Sequence, residues 1–261
     1  MSTVRRSADR LAWLSPAVIV LLLGSWEAGV RLGGISPLLT PAPSTILREL
    51  ATLLANGVML TNLGATLLRL GIGLVLGASL GVGLGLAMGW WPTLRRTVDP
   101  IVAGIHPIPK IALFPILIVL LGIGEESKIA AIAIGAFFPS LINTMAGVRA
   151  ISPVQLDLAR NYGAGTRAMF LRILLPGSLP LVLTGLRISA NVAFLSAIGV
   201  EMISAHTGLG SLLWLSWQVF RIEQLYATLI VVALVGVSLT LTVRAASHRW
   251  APWLTDSGVG L

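Results

Sequence analysis

The residue types that most often carry metal or proton chemistry are sparse in this chain and poorly spaced for it. His106, His206 and His248 lie far apart, and none sits with a carboxylate at metal-ligand spacing, so no metal site is expected. Cysteine is absent, which removes disulfides and thiolate chemistry. No G-x-x-x-x-G-K-[ST] run occurs, so the chain has no P-loop of its own to cradle nucleotide phosphates. No Ser-His-Asp set or carboxylate pair falls in a polar stretch, and no catalytic residue is expected. What remains are isolated charges beside apolar runs and one polar segment, DLARNYGAGTRAMFLRILLP, Asp157 to Pro176.

That segment has a readable local logic. Gly163 permits a sharp turn that a residue with a Cβ resists. From Thr166 to Leu175 the pattern fits a short helix, with Met169, Phe170, Ile173 and Leu174 on one face and Arg167 and Arg172 off it. Pro176 is expected to end this helix. A short helix with an apolar anchoring face is a docking element for a partner, or else an amphipathic helix resting on a membrane surface.

His106-Pro107-Ile108-Pro109-Lys110 is the second unusual run. Two prolines remove two backbone donors and disfavour helix at the residues before them. A short helix from about Pro100 should break here, and a new one should start near Lys110 and run to Leu121. Its N-terminus would carry partial positive charge, Lys110 adds a full one, and Arg69 is expected at similar depth. Either the break lines a solute pathway and favours an anionic or electron-rich solute, or it is a proline kink with Lys110 snorkelling to the surface. Glu201 carries a similar pair of readings, an outer gate or partner contact against a solvated helix-end carboxylate.

These groups must be positioned by membrane helices. Hydrophobic residues make up 56% of the 261 and charged residues only 11%, where a soluble domain has about a quarter charged. Six apolar runs read as spans near 11–32, 62–90, 100–122, 127–149, 179–204 and 223–246, giving an all-α membrane protein of one transmembrane domain over 1–261. Strands are not expected, because period-two alternation is missing. Arg5, Arg6 and Arg10 precede a run that contains Glu27 and lacks a small-x-small cleavage pattern, so it reads as a retained first span. Lys and Arg gather in the loops that lie inside when both termini are inside, which sets N-in and C-in and makes 150–178 a cytoplasmic loop. The net charge of +8 is spread over loops, with no basic helix and no aromatic-basic interleaving, so no nucleic acid is expected as a partner.

Outside, Gly33, Gly34, Pro37, Pro41 and Pro43 forbid a continued helix, and Ser44 is expected to cap a surface helix that follows. In the second span Gly73, Gly77, Gly81, Gly85 and Gly89 recur every four residues. They form one small-residue face, for close packing or for sliding.

The spacing Asp157-Leu158-Ala159, three residues, Gly163, nine residues, Ile173, one residue, Leu175-Pro176 resembles the cytoplasmic loop signature of ABC importer permeases. Asp157 stands where that signature usually has Glu, and Leu158 where it has Ala. NLGATLLRLGIGLVLG at 62–77, IPKIALFPILIVLLGIGEESK at 108–128, Gly185-Leu186-Arg187, Glu201 and Gly208-Leu209-Gly210 resemble the nitrate, taurine and aliphatic-sulfonate permeases. The similarity runs from about Pro41 to Tyr226.

The resemblance implies a type I ABC importer permease fold in a bacterial plasma (inner) membrane. It implies two ABC ATPase subunits that bind ATP and Mg, a second copy of this permease as a homodimer, and an external or periplasmic substrate-binding protein. Coupling to the ATPase would fall on Asp157, Leu158, Ala159, Gly163, Ala164, Gly165, Thr166, Met169 and Phe170. Pathway candidates are Arg69, His106, Lys110, Asn143, Asn191, Ser196 and Glu201. The solute is expected to be a small anion such as nitrate, a sulfonate or taurine, with an aromatic acid, vitamin precursor or flavin as the alternative. A secondary transporter driven by an ion gradient is disfavoured, because mid-span acids are absent.

Overall fold

The computed structural model describes residues 14–204 and 206–250. Arg5, Arg6 and Arg10 lie outside the described residues, as does Ala205. Among the described residues all regular structure is helical. The helices are α1 (Leu14–Arg31), α2 (Pro43–Ala55), α3 (Val58–Trp90), α4 (Pro92–Ile105), α5 (Phe114–Leu121), α6 (Glu125–Arg149), α7 (Pro153–Asn161), α8 (Thr166–Met169), α9 (Leu175–Ser204), α10 (Leu209–Gln218) and α11 (Ile222–Trp250).

Among the described residues, four stretches are long and apolar enough to cross a membrane: Val58–Trp90, Glu125–Arg149, Thr166–Ser204 and Ile222–Ser247. A bent pair, α4 with Lys110–Leu121, turned by 91° at the two prolines, makes a fifth when the two helices are taken together as one broken span. The chain divides into two compact units, one of residues up to Thr61 with Leu212–Val231, the other of Asn62–Ser211 with Val232 onward.

In the first unit the expected cap on the outer helix is corrected. Pro43, which has no N–H to satisfy, occupies the first turn of α2, and Ala42 stands at the N-cap without a side-chain bond. Glu27 of α1 does the capping instead. It accepts from the Ser44 N–H at 3.0 Å and the Ser44 hydroxyl at 2.7 Å, and Arg31 binds it at 2.6 Å. An anion at a helix N-terminus is favoured by the dipole, so this acid fastens α2 to α1.

In the second unit α6 is flanked by α3 and α9. A Cβ added at Gly77 would run into the Ala133 carbonyl, and at Gly85 would come 2.6 Å from the Leu141 carbonyl. Gly73 faces Ile132, Gly81 faces Phe137, and Gly89 faces Val148. The glycine face of α3 is therefore a packing surface for α6. On the other side Gly147 fits against Ser178, Gly135 against Ser196, and Gly185 against Asn143. Ser189 donates to the Ala136 carbonyl at 2.7 Å. Its one proton is thereby used, so the 2.7 Å contact with Ser140 has Ser140 as donor. Phe114 seats the bent pair in the core among Leu70, Ile132, Ala193 and Val200.

Two further expectations are corrected. The helix ahead of the break starts at Pro92 and runs through Pro100. The short helix after Gly165 does not end at Pro176. It passes through a π turn at Phe170–Leu174 directly into α9. Proline lacks an N–H and crowds the carbonyl four residues back, here that of Arg172. The wider π turn opens the ladder at that place and lets the helix continue.

Candidate functional site

Arg69 and Glu201 are brought together, at the end of the second unit where α6 begins. Glu201 is wholly buried, so the solvated helix-end reading does not hold. It accepts from Arg69 at 2.8 Å, from the Thr66 hydroxyl at 2.8 Å and from the Gly210 N–H at 3.0 Å. Arg69 also forks onto the half-exposed Glu125, at 2.5 and 2.9 Å, and reaches the Thr207 carbonyl and hydroxyl. Guanidinium has five N–H donors, and all five are used. Lys128 braces Glu125 at 2.9 Å, Asn62 accepts from the Gly208 N–H, and Thr66 accepts from the Leu209 N–H. Gly208 has φ 124, a conformation that suits glycine. The knot ties 206–210 to α3, α6 and α9. Of its members only Arg69 and Glu201 were singled out as pathway residues. Glu125, Lys128, Thr66, Thr207 and Asn62 were missed, although GEESK, with opposite charges opening an apolar run, was a usable signal.

Lys110 is elsewhere, so Arg69 and Lys110 do not share a site. Its ammonium donates to the carbonyls of His106 (2.6 Å), Ile108 (2.8 Å) and Ile105 (3.3 Å) and lies 4.3 Å above the Phe138 ring. His106 stacks obliquely on the same ring at 5.6 Å. Three donors meet three carbonyls at the break, one of which, that of Ile105, also accepts the Ile108 N–H, so Lys110 caps the end of α4 with its three donors placed within the protein.

The remaining candidates lie along α6 and α9. Asn143 donates to the Pro139 carbonyl at 2.9 Å, and Asn191 lies 3.3 Å from the Thr240 hydroxyl, which also reaches the Gly236 carbonyl at 2.9 Å. Thr184, Ile188, Asn191 and Leu195 form an exposed stripe on α9. Arg187 borders it, with its Nε buried and without an acceptor. Arg187 entered the sequence reading only as part of a motif, not as a site residue.

The 157–176 segment is built on a helix stop. Gly163, at φ 75, donates to the Arg160 carbonyl, and Ala164 donates to the Ala159 carbonyl, both at 2.9 Å. This pair of bonds closes a Schellman motif, which requires the left-handed residue glycine supplies. Val154, Leu158 and Tyr162 line an exposed face of α7. Asp157 and Arg160 pair with each other at 3.0 Å, both well exposed. Met169 and Leu174 are buried, the latter with Val148 and Ile151. The anchoring face thus rests on protein and leaves the α7 face open.

Residues 73–255 match the family described as binding-protein-dependent transport system inner membrane component, and the chain belongs to that family. It is similar to the taurine transport system permease protein TauC of Escherichia coli (strain K12), 32% identical over 250 residues, covering 94% of this chain and 91% of that protein. It is 29% identical over 248 residues to a putative aliphatic sulfonates transport permease protein, SsuC of Bacillus subtilis (strain 168), covering 94% and 89%. The formylaminopyrimidine transport permease protein ThiX of Halalkalibacterium halodurans is 32% identical over 241 residues, covering 92% and 96%. Among solved structures, the MetNI methionine ABC transporter in an inward facing conformation superposes with a TM-score of 0.63 at 19% identity, covering 71% of this chain and 92% of that one. The fold is that of the type I ABC importer permeases, and the chain is a multi-pass inner-membrane permease subunit.

Proposed function

We propose that this permease conducts a small anion of the sulfonate or nitrate class. Import would be driven by two cytoplasmic ATPases acting through 157–176, with solute delivered by an external binding protein. The observation that carries the anion is Arg187. Arg69 and Lys110 have spent their donors within the protein, whereas Arg187 keeps a buried Nε without an acceptor inside a membrane span. Intramembrane cations are costly and face a partner or a water-filled cavity. Thr184 and Asn191 on the adjoining exposed stripe suit a pathway better than lipid. The taurine and sulfonate relatives support the same class. The similarity to ThiX supports the second reading, a vitamin precursor. Coupling is supported by the open α7 face beside the Gly163 turn.

The test is reconstituted uptake with the cognate ATPase and binding protein. Arg187→Met should lower uptake of taurine or an aliphatic sulfonate roughly ten- to a hundredfold, the worth of a charge-assisted hydrogen bond. ATPase assembly should be retained. Gly163→Val should leave the permease inserted and lose solute-stimulated ATP hydrolysis, while Gly165→Ala, at an ordinary φ of -68, should be tolerated. Wild-type anion uptake by Arg187→Met would overturn the anion reading, and preferred uptake of formylaminopyrimidine would favour the second.

A further inference from the structure

A groove of about 630 Å³ opens at the end of α3, floored by Gly83, Leu86 and Ala87 and walled by Trp90, Trp91 and Phe170. Trp90 and Phe170 meet edge to face at 6.3 Å. Thr166 and Arg167 form its rim. We infer that this groove seats one acyl chain of an anionic phospholipid, whose headgroup is held by Arg167.

Three observations select that occupant. The first is continuity. Leu68, Ile72, Val75, Leu76 and Leu80 make an exposed apolar stripe along α3, at the spacing of one helix face, and exposed Gly83 extends it into the groove. The second is depth. Trp90 and Trp91 end the apolar run just before Pro92, Arg95 and Arg96, where indole rings mark a membrane boundary. The third is charge. Arg167 is exposed on the groove rim and makes no ion pair among the described residues, and Arg95 and Arg96 follow Trp91 within five residues in sequence. Basic pockets beside membrane helices recognise anionic headgroups. The lipid would bridge the end of α3 to the start of the Thr166–Ser204 helix, a start that lies within 157–176 and meets α3 through Trp90 and Phe170.

The site is tested with the full-length permease in phosphatidylcholine vesicles, using lipids brominated on the acyl chain to quench tryptophan. The difference between wild type and a Trp90→Phe, Trp91→Phe variant isolates the groove signal from the other tryptophans. Brominated phosphatidylglycerol should quench that signal at lower membrane content than brominated phosphatidylcholine. Arg167→Gln, an exposed change, should reduce the preference roughly fivefold, the worth of one basic residue near an anionic surface. Gly83→Leu should abolish the preference for phosphatidylglycerol by filling the floor, since a Cβ there meets no atom within 4 Å. Equal quenching by both lipids, a preference indifferent to Arg167→Gln, or no quenching at all would each overturn the assignment.

Discussion

Arg69 shows how much a single buried cation can organise. Its guanidinium holds two carboxylates and both oxygens of Thr207 at once. Such a centre stabilises only while it is complete, because removing one partner leaves the other charge buried and uncompensated. Arg69→Met is expected to cost about 3–5 kcal/mol, since Glu201 has no water to turn to. Glu125→Gln should cost about 1 kcal/mol, because that carboxylate is half exposed. The double variant Arg69→Met, Glu201→Leu should recover part of the first loss. Chemical unfolding in detergent, analysed as a double-mutant cycle, checks this. Additive effects of Arg69→Met and Glu201→Leu would show that the pair is not coupled.

The contact of α3 with α6 is governed by which of its glycines face a neighbour. Gly77 lies against the Ala133 backbone, which cannot move aside as a side-chain tip can, whereas a Cβ at Gly71 meets no atom within 4 Å. Gly77→Ala is therefore expected to destabilise by about 1–3 kcal/mol through enforced separation of the helices. Gly71→Ala should be neutral or gain up to about 1 kcal/mol from helix propensity. Thermal unfolding of the two variants side by side is the measurement, and equal effects would refute a packing role specific to Gly77. The same reasoning separates Gly163 from Gly165 in the loop. Only the first holds a left-handed backbone, although the two look alike in sequence.

At the scale of the whole molecule, the exposed stripe of Thr184, Ile188, Asn191 and Leu195 on α9 calls for a partner surface. Thr184 and Asn191 are exposed beside Arg187, whose buried Nε has no acceptor, an arrangement unsuited to bare lipid. A second copy of this permease facing the stripe across a shared pathway is the simplest closed arrangement. The chain is free of cysteine, so a single cysteine at Ile188, Asn191 or Leu195 makes a clean probe. Oxidation in membranes should give a cross-linked homodimer from at least one of these positions and none from Leu68 on the apolar stripe of α3. A different permease trapped in place of this chain would overturn the homodimer.

The helical membrane class and the permease family were legible in the sequence. Long apolar runs without period-two alternation leave the backbone no option in lipid but helix, and loop spacing such as Asp157 to Pro176 is a one-dimensional pattern. The glycine row of α3 announced a close contact for the same reason, since periodicity is local. What Arg69, Lys110 and Glu201 actually bind was not legible. Lys110 is taken by carbonyls within five residues of it, gathered at a break whose 91° angle no local rule supplies. Arg69 and Glu201 lie 132 positions apart, and only the packing of α3, α6 and α9 decides that they neutralise each other. Pro176 sits inside a continuous helix because a π turn accommodates it, which the proline alone does not signal. Charge, turn chemistry and apolar periodicity are properties of neighbouring residues, whereas the satisfaction of a buried donor depends on residues that only folding brings within 3 Å.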